Sequence, residues 1–383
     1  MESNEKYTRI HLLTPRGSVK SRKTWSGIPS GLSSSLERRG LLGETENEIG
    51  PGICGRWSNR LGKLPSPPIS GLRRRLVNRD RSARIADFCR ARPNEPVVLV
   101  SLTNFPLNRG VKNCCVLIDY PVYEWMQIQA SEESASLDRR RIKYFNRWEK
   151  QCYHEAAHVF TLGEFCRERL IREFHLPEGK VSAIGTGTSF RPKLSNTRMR
   201  DFSKKRLFFL AKNREALKGC EEVANAFKKI HNEDPSATLT FAGSQLFIEK
   251  YAGRPGIKAI GYLEPGGETL ENLFRDHNLF LMPSRSEPWG IVFLEALASG
   301  LPVLGLNANG FPEISRDGEF GFGIDRQDPD LIAQAIFEAF SAPSKLEQIS
   351  RNAPPYIAEA YTWDRSCDKM INGLRSAGFP IGT

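Results

Sequence analysis

Short apolar runs rich in β-branched residues recur through the first half of the chain, separated by stretches long enough to form helices. The runs cover residues 9–14, 96–101, 114–119, 158–162 and 181–185. Runs of this length, bounded by polar or turn-forming residues, are typical of strands that a parallel sheet buries on both faces. Helices are predicted at three amphipathic or charged stretches, 32–39, 137–157 and 163–174. The pattern therefore predicts a first α/β domain over residues 1–190.

The alternation continues more regularly in the second half of the chain. Apolar runs lie at 207–210, 238–243, 257–261, 279–283 and 302–305. Helical stretches are predicted at 219–230, 269–275, 290–299 and 328–340. Strands that alternate with helices at this spacing indicate a second doubly wound parallel sheet. The polar, basic segment 191–205 is the predicted linker, and segment 41–80, rich in Gly, Pro, Ser and Arg, is predicted to be loop and surface helix.

Charge is divided unevenly along the 383 residues, whose formal net charge is +11. Residues 1–200 hold 35 basic and 20 acidic residues, a net of +15, whereas the remainder holds 20 and 24, a net of −4. A basic half of this kind is expected to face lipid headgroups, a phosphorylated acceptor or nucleic acid, and scattered solubilising charge is the alternative. Nucleic acid is not expected as a partner, because the chain lacks a recognisable reader motif. The two basic triplets at 73–75 and 139–141 suit an anionic membrane surface or solvent equally well.

Cysteine usage and hydropathy favour an intracellular protein. The eight cysteines are scattered, and the adjacent pair Cys114-Cys115 does not have the C-x2-C spacing of a zinc half-site, so neither zinc nor disulfides are predicted. No run approaches the roughly 18 apolar residues of a membrane span, and no apolar segment follows the N-terminus. We therefore expect a cytoplasmic protein, with any membrane contact peripheral and on the inner face.

The densest chemical signal is the segment 283–303, which reads P-S-R-S-E-P-W-G-I-V-F-L-E-A-L-A-S-G-L-P-V. A strand ends at Pro283, a tight polar loop carries Glu287, and a helix begins near Gly290. The first N–H groups of a helix have no intrahelical acceptor and lie at the positive end of its dipole, which suits a phosphate. Glu287 precedes that site and Glu295 follows it by about two turns, so two carboxylates can accept hydrogen bonds from hydroxyls on either side. A ligand with sugar, diphosphate and ribose in line fits this pattern.

This Glu-x7-Glu block resembles the retaining nucleotide-sugar glycosyltransferases of family 4, also called group 1, which have the GT-B fold. The run Gly310-Phe311-Pro312-Glu313-Ile314 continues the resemblance, which covers residues 155–370 well and the N-terminal part weakly. It implies two Rossmann-like doubly wound parallel-sheet domains with an interdomain cleft, the donor lying mainly on residues 206–355. The segment 356–383 is then expected to form a helix that crosses back to the N-terminal domain.

The resemblance also assigns roles to individual residues of the second domain. Glu287 is expected to hold the hydroxyls of the sugar ring and Glu295 those of the ribose. The diphosphate is expected to contact Lys218 and backbone groups around Trp289, Gly290 and Ile291, together with Lys212 and Arg214, which stand in the loop where the family usually has Gly-Arg. No metal is called for, because lysines and the helix dipole neutralise the departing diphosphate. The nucleobase is expected near Gly243, Gly261 and Tyr262.

In the first domain, Gly27 matches the family's glycine-containing loop after the first strand. Many relatives carry a histidine on the N-domain wall beside the reacting sugar; here the strand that should end nearby leads into Asp119, the candidate for that wall. His154 and His158 are interpreted as structural.

The function implied is transfer of a sugar from a UDP- or GDP-sugar to a hydroxyl of a glycan or lipid-linked acceptor, with retention of configuration, in polysaccharide or glycolipid synthesis. No cofactor is expected beyond the donor, which is a substrate. Three alternatives stay open: a sugar phosphorylase or nucleotide-sugar epimerase on this fold, a catalytically inactive subunit with this fold, and a nucleic-acid-binding module that would account for the basic half.

Overall fold

The computed structural model describes residues 8–14, 17–45, 67–124, 139–188, 200–211, 215–264 and 266–382. These residues form two compact units. The first contains the described residues up to Gly187 together with those from Trp363 onward, and the second contains those from Thr188 to Thr362. The chain therefore enters the second unit once and returns to the first for its last helix.

The first unit is built on five parallel strands that follow one another across the sheet in chain order. They are β1 (His11–Leu13), β2 (Val97–Val100), β3 (Cys114–Ile118), β4 (Val159–Thr161) and β5 (Val181–Ala183). Each pairs in parallel with the next, and β2, β3 and β4 are buried along their whole length, as their continuous apolar sequence predicts.

The first unit's helices are α1 (Ile28–Arg38), α2 (Pro67–Arg90), α3 (Arg139–Glu155) and α4 (Glu164–Phe174), with 3-10 turns at Thr24–Gly27 and Glu178–Lys180. Ile85 and Cys89 of α2, Cys152 of α3 and Leu170 of α4 enter the same core as the strands. Segment 41–80 was expected to be loop and surface helix, and within it α2 starts at Pro67 and runs for 24 residues. Proline is tolerated in a first helical turn, so the Pro-rich stretch marks the start of this helix.

The second unit is built on six parallel strands whose order in the sheet is β11-β10-β9-β6-β7-β8. The strands are β6 (Arg206–Ala211), β7 (Thr238–Gly243), β8 (Ile257–Ile260), β9 (Leu279–Met282), β10 (Val303–Leu306) and β11 (Gly321–Ile324). From β6 the chain proceeds outward through β7 to β8, and then returns to place β9 on the other side of β6. The strand order thus reverses between β6 and β9, the point at which open α/β sheets bind ligands.

The helices of the second unit cover the sheet and complete its core. They are α5 (Glu215–Lys218), α6 (Cys220–Glu233), α7 (Gln245–Tyr251), α8 (Glu268–Asp276), α9 (Ile291–Ala298), α10 (Phe311–Ser315), α11 (Pro329–Ser341) and α12 (Pro343–Ala360). The core includes Phe209, Phe227, Phe241 and Ile336, all nearly inaccessible to solvent. The predicted helices and parallel strands of this half are confirmed, whereas α5, α7, α10, α12 and β11 had not been predicted.

The last helix, α13 (Trp363–Ser376), belongs to the first unit and packs on α1. Asp364 accepts hydrogen bonds from Ser35 Oγ (2.5 Å) and Arg38 Nη2 (2.6 Å). The indole of Trp363 fills the space above Gly31 and Gly187, where a Cβ atom would lie 2.1 Å and 2.6 Å from Trp363 atoms. The predicted domain boundary after residue 355 lies inside α12, and the change of unit falls between Thr362 and Trp363.

Candidate active site

The candidate active site lies in the second unit, where the carboxyl ends of β6 and β9 are neighbours. Phe209 of β6 pairs with Leu281 of β9, so the carboxyl ends of these two strands lie side by side. The first leads into α5, which ends at Lys218, and the second is the loop that carries Glu287. Residues 69 positions apart in the sequence are thereby brought together at the reversal of strand order.

Lys218 and Glu287 form a partly buried ion pair between Lys218 Nζ and Glu287 Oε2. Their side chains are 14% and 25% exposed, so both charged groups remain within reach of a ligand. Lys218 Nζ also lies 3.5 Å from the carbonyl oxygen of Ser286. The sequence predicted that each residue separately contacts the nucleotide-sugar donor. The structure shows that the two residues also contact one another.

Gly290 lets the chain turn from the Glu287 loop into α9. Its φ of +83° lies in the left-handed region, and a Cβ atom there would be 2.6 Å from the Phe293 ring and 3.3 Å from Glu287 Cγ. A side chain at this position would therefore be strained and would collide with the helix that follows. Phe293 N–H bonds to the Gly290 carbonyl, and the helix begins at Ile291, which puts the positive end of its dipole beside Glu287.

The Glu287 loop is also held from the side of α10. Asn309 Nδ2 donates to the carbonyl of Glu287 (3.4 Å), and Gly310 N–H donates to the carbonyl of Pro288 (3.0 Å). Trp289 is only 3% exposed and its indole packs over Gly310 and near Tyr361, with ring centroids 6.2 Å apart. The Trp289 ring is thus part of the packing around this loop.

Glu295, the second glutamate of the motif, is the fifth residue of α9 and is 7% exposed. It lies about 6 Å along the helix axis from Ile291, at 1.5 Å per residue. The helix N-terminus therefore falls between the two carboxylates, as the spacing predicted.

The predicted nucleobase residues lie at the ends of the neighbouring strands. Gly243 is the last residue of β7 and pairs with Ala211 at the end of β6. Gly261 directly follows β8, and Tyr262 after it is 50% exposed, one of two large hydrophobic side chains that stand out in this way among the described residues. All three thus lie along the carboxyl edge of the sheet that also carries Lys218 and Glu287.

The other four predicted site residues fall outside the described ranges or in the first unit. Lys212 and Arg214 lie outside the described residues. Gly27 precedes α1 and Asp119 directly follows β3, both in the first unit. Asp119 thus ends its strand at the carboxyl edge, as predicted.

Two histidines of the first unit make contacts within that unit's own structure. His158 is 1% exposed, its Nε2 lies 2.9 Å from Ser182 Oγ, and burial lowers the pKa of its ring to about 4. His154 Nε2 lies 3.1 Å from the carbonyl of Phe174. Both contacts are with residues of the unit's own fold, which agrees with the interpretation of these histidines as structural.

Glu149 is a buried carboxylate that sequence reasoning did not single out. It accepts hydrogen bonds from the N–H groups of Val122 (2.6 Å) and Tyr123 (3.1 Å) and from the hydroxyl of Tyr153 (2.5 Å). Burial raises the pKa of Glu149 to about 7, against the opposite effect of these hydrogen bonds. Glu149 thereby fixes the segment that follows Asp119.

The sequence contains one Asp-x-Asp triplet of the kind that binds metal ions in other transferases, Asp328-Pro329-Asp330, and in the structure its two carboxylates make other contacts. Asp328 caps α11 by accepting hydrogen bonds from the N–H groups of Asp330 and Leu331, and Asp330 forms an ion pair with Lys229. Within the described ranges, no three His, Cys, Asp or Glu side chains gather as ligands for a metal ion. The seven described cysteines are buried free thiols. Across the same ranges, we find no helix with the length and apolarity to cross a bilayer.

The fold is GT-B, as predicted, since solved GT-B structures superpose on nearly the whole chain. Sucrose-phosphate synthase from Thermosynechococcus elongatus matches with a TM-score of 0.71 and 15% identity, over 96% of this chain and 98% of that one. HepE from Anabaena, solved in complex with UDP-glucose, matches with a TM-score of 0.63 and 15% identity, over 97% of this chain and 100% of that one.

Residues 197–355 match the family described as glycosyl transferases group 1. An uncharacterized glycosyltransferase of Methanocaldococcus jannaschii is 29% identical over 58% of this chain. D-inositol 3-phosphate glycosyltransferase of Streptomyces griseus is 34% identical over 34% of this chain. The matched regions span 61% and 28% of these two relatives, respectively.

Proposed function

We propose that this protein is a glycosyltransferase that moves a sugar from a nucleotide diphosphate sugar to an acceptor hydroxyl with retention of configuration. The observation that carries the proposal is the Lys218–Glu287 ion pair beside the N-terminus of α9, at the reversal of strand order. It combines a cation, a carboxylate and a helix N-terminus, which are the groups that a diphosphate joined to a polyhydroxylated ring requires. The UDP-glucose bound to HepE supports a UDP-sugar as the first donor to test, with a GDP-sugar as the second.

In the proposed complex, the diphosphate lies against the first turn of α9 and Lys218. The sugar then reaches Glu287, whose carboxylate accepts hydrogen bonds from ring hydroxyls, and the ribose reaches Glu295. Since Lys218 and Glu287 pair with each other, donor binding exchanges part of this contact for one to phosphate and one to sugar. Both charges stay paired during that exchange, which avoids leaving either one isolated in a partly buried site.

The proposed reaction is front-side displacement at the anomeric carbon. The bond from that carbon to the phosphate oxygen breaks with its electron pair going to the phosphate, and a bond to the acceptor oxygen forms on the same face. The acceptor proton passes to the departing phosphate oxygen, so charge and atoms balance. Lys218 and the dipole of α9 stabilise the negative charge that develops on the diphosphate, the role that a divalent metal has in other transferases.

The acceptor side of the proposal rests on the first unit, with Asp119 and Gly27 as its candidate contacts. We propose a glycan or lipid-linked acceptor and an anionic membrane as the surface on which it is met. Helix α3 supports this, since Tyr144 is 66% exposed and has exposed Lys143 and Arg147 on the same helical stripe. No nucleic acid partner is proposed.

The test is donor turnover measured by mass spectrometry on the full chain in EDTA. UDP-glucose, UDP-galactose, UDP-N-acetylglucosamine and GDP-mannose are offered separately to the wild type, to Glu287→Ala and to Glu249→Ala. Glu249 is an exposed glutamate on α7 and serves as the matched control. We expect slow release of one nucleoside diphosphate, at least about 100-fold slower in Glu287→Ala and unchanged in Glu249→Ala.

The alternatives give different results in the same assay. Silence with every donor, despite thermal stabilisation by a nucleotide, would indicate a binding subunit without turnover. Sugar phosphate formed only when inorganic phosphate is added would indicate a phosphorylase. An epimerised donor recovered without any acceptor would indicate an epimerase. Turnover abolished by EDTA and restored by Mg²⁺ or Mn²⁺ would contradict the proposed metal independence.

A further inference from the structure

Gln327 forms hydrogen bonds to both segments of the candidate active site, the one that ends at Lys218 and the one that carries Glu287. It lies between β11 and α11, 40 residues beyond Glu287 in the sequence, in a stretch that carries no recognisable motif. Its amide nitrogen Nε2 donates to the carbonyl of Pro283 (2.7 Å) and to the carbonyl of Leu217 (3.0 Å). Leu217 immediately precedes Lys218, and Pro283 is the first residue after β9, at the base of the Glu287 loop.

The chemistry of these contacts determines the orientation of the amide. Both partners are carbonyl oxygens, which only accept, so the NH2 end of the side chain must face them. Its two hydrogens allow both bonds to form at once, one to each loop. A carboxylate at this position would have no hydrogen to donate and would repel both oxygens.

The turn after Lys218 is shaped around this side chain. Gly219 has a φ of +78°, and a Cβ atom there would lie 2.7 Å from Gln327 Nε2, so the glutamine passes directly beneath the backbone. The carbonyl of Leu217 is also bonded by Arg285 N–H at 2.8 Å, which adds a direct link between the two loops. Gln327 therefore packs against the first loop as well as bonding to both.

The oxygen end of the Gln327 amide lacks a hydrogen bond. Gln327 Oε1 is buried and has no hydrogen-bond partner within the described part of the chain. A buried acceptor without a partner destabilises a fold. Retention of an unsatisfied oxygen at this point is the kind of local conflict that occurs where a residue serves a site more than it serves stability.

We propose that Gln327 is a positioning residue that fixes the separation of Lys218 and Glu287. The proposal rests on the function proposed above, in which these two side chains contact the leaving phosphate and the transferred sugar. Errors of about 1 Å in such contacts reduce turnover by about 100-fold. Gln327 itself contacts neither group and acts through the backbone on either side of them.

The test compares Gln327→Leu, Gln327→Asn and the control Gln334→Leu in the full chain. Leucine has nearly the same size but no donor, and asparagine keeps the donor but is too short to reach both carbonyls. Gln334 lies on the exposed face of α11 and bonds only to Glu338 among the contacts described. Amide hydrogen exchange is measured without ligand, and donor turnover is measured in parallel.

We expect faster exchange in segments 215–219 and 283–290 for both Gln327 variants and no change for Gln334→Leu. We expect kcat to fall about 30-fold in Gln327→Leu with the donor KM changed less than about 3-fold, because binding of the ribose at Glu295 is unaffected. In a Lys218→Met background, Gln327→Leu should cost less than about 2-fold more, since the group that it positions is gone.

Two results would overturn the proposal: unchanged exchange in both segments, or a turnover loss of the same size with and without Lys218. If Gln327→Leu does not fold, Gln327→Asn carries the same comparison. Wild-type protein that turns over no donor would contradict the proposed function, and the exchange experiment would still decide whether Gln327 holds the two loops together.

Discussion

The two sheets of this protein use polar and charged side chains in different ways. In the second, the strand order reverses between β6 and β9, and the loops beyond these strands carry the Lys218–Glu287 pair, whose groups remain partly exposed. In the first, the described strands follow chain order, and the polar groups beneath the surface are turned inward. Glu149 holds a loop and His158 holds Ser182 on β5.

This difference has a topological cause. Where strand order reverses, the segments leaving two adjacent strands turn to opposite faces of the sheet, and the space between them admits a ligand. Where strands follow in order, no such space opens within the sheet, and buried polar groups must find partners among neighbouring residues. The first unit differs also in its charge, since residues 1–200 hold the chain's excess of basic residues.

A glycine substitution in each unit tests the difference between the two units most directly. Gly290→Ala forces a side chain into a left-handed conformation and into the Phe293 ring, whereas Gly378→Ala has the same conformational problem (φ +91°) with no atom within 4 Å. We expect Gly290→Ala to lower the free energy of unfolding by about 3 to 4 kcal/mol and to abolish donor turnover. Gly378→Ala should cost about 1 kcal/mol and leave turnover intact. Calorimetry and the donor assay measure both, and equal effects would contradict the assignment of Gly290 to the site.

The second prediction concerns the inward-turned carboxylate of the first unit. The pKa of Glu149 is about 7 in the fold, against 4.5 for an unperturbed glutamate. Between these pH values the folded chain therefore binds more protons than the unfolded chain. The sign is therefore that stability contributed by this group falls as pH rises from about 4.5 to about 7. Glu149→Gln should remove this dependence. The free energy of unfolding of the wild type should therefore fall by about 3 kcal/mol relative to that of the variant between pH 4.5 and pH 7.

The measurement is urea unfolding of both proteins at several pH values across that range. Glu168→Gln, an exposed glutamate on α4, is the control and should keep the wild-type dependence. A pH profile that is identical in wild type and Glu149→Gln would show that the carboxyl titrates normally.

The smallest expected effect tests the basic exterior of the first unit. The double variant Lys143→Gln/Arg147→Gln should bind vesicles of phosphatidylcholine and phosphatidylglycerol about 30-fold more weakly, since each surface cation contributes about 1 kcal/mol near an anionic bilayer. The charge-matched control Lys228→Gln/Arg351→Gln, on exposed positions of the second unit, should bind as the wild type does. Equal loss in both variants would assign the attraction to net charge rather than to α3.

Much of the second unit could be predicted because its sequence is locally consistent. Leu279–Met282, the loop with Glu287 and the helix from Ile291 were predicted nearly to the residue, since a buried strand, a polar loop and a helix start each have a local signature. The elements that were not predicted lack such a local signature. β11 contains two glycines among its four residues, and α12 has Pro354 and Pro355 inside it, which ordinarily argue against a strand and a helix.

The contacts of the site were harder to predict than its elements. That Lys218 pairs with Glu287 depends on the reversal of strand order, which no local pattern encodes. Gln327 and Asn309 act through single hydrogen bonds to backbone carbonyls, so neither position required a charged or conspicuous residue type. Family resemblance supplied the roles of Glu287, Glu295 and Lys218, and it supplied nothing for Gln327.

The placement of α13 has a consequence for how the chain is made. Trp363 fills the space beside Gly31 and Gly187, and α13 packs on α1, so the first unit includes a helix that is translated after the whole of the second unit. Domains usually fold in the order in which they leave the ribosome. Here the second unit can fold while the first still lacks α13, so the first unit is begun earlier and completed later. The first unit must therefore keep its incomplete apolar surface from aggregating until α13 has been translated.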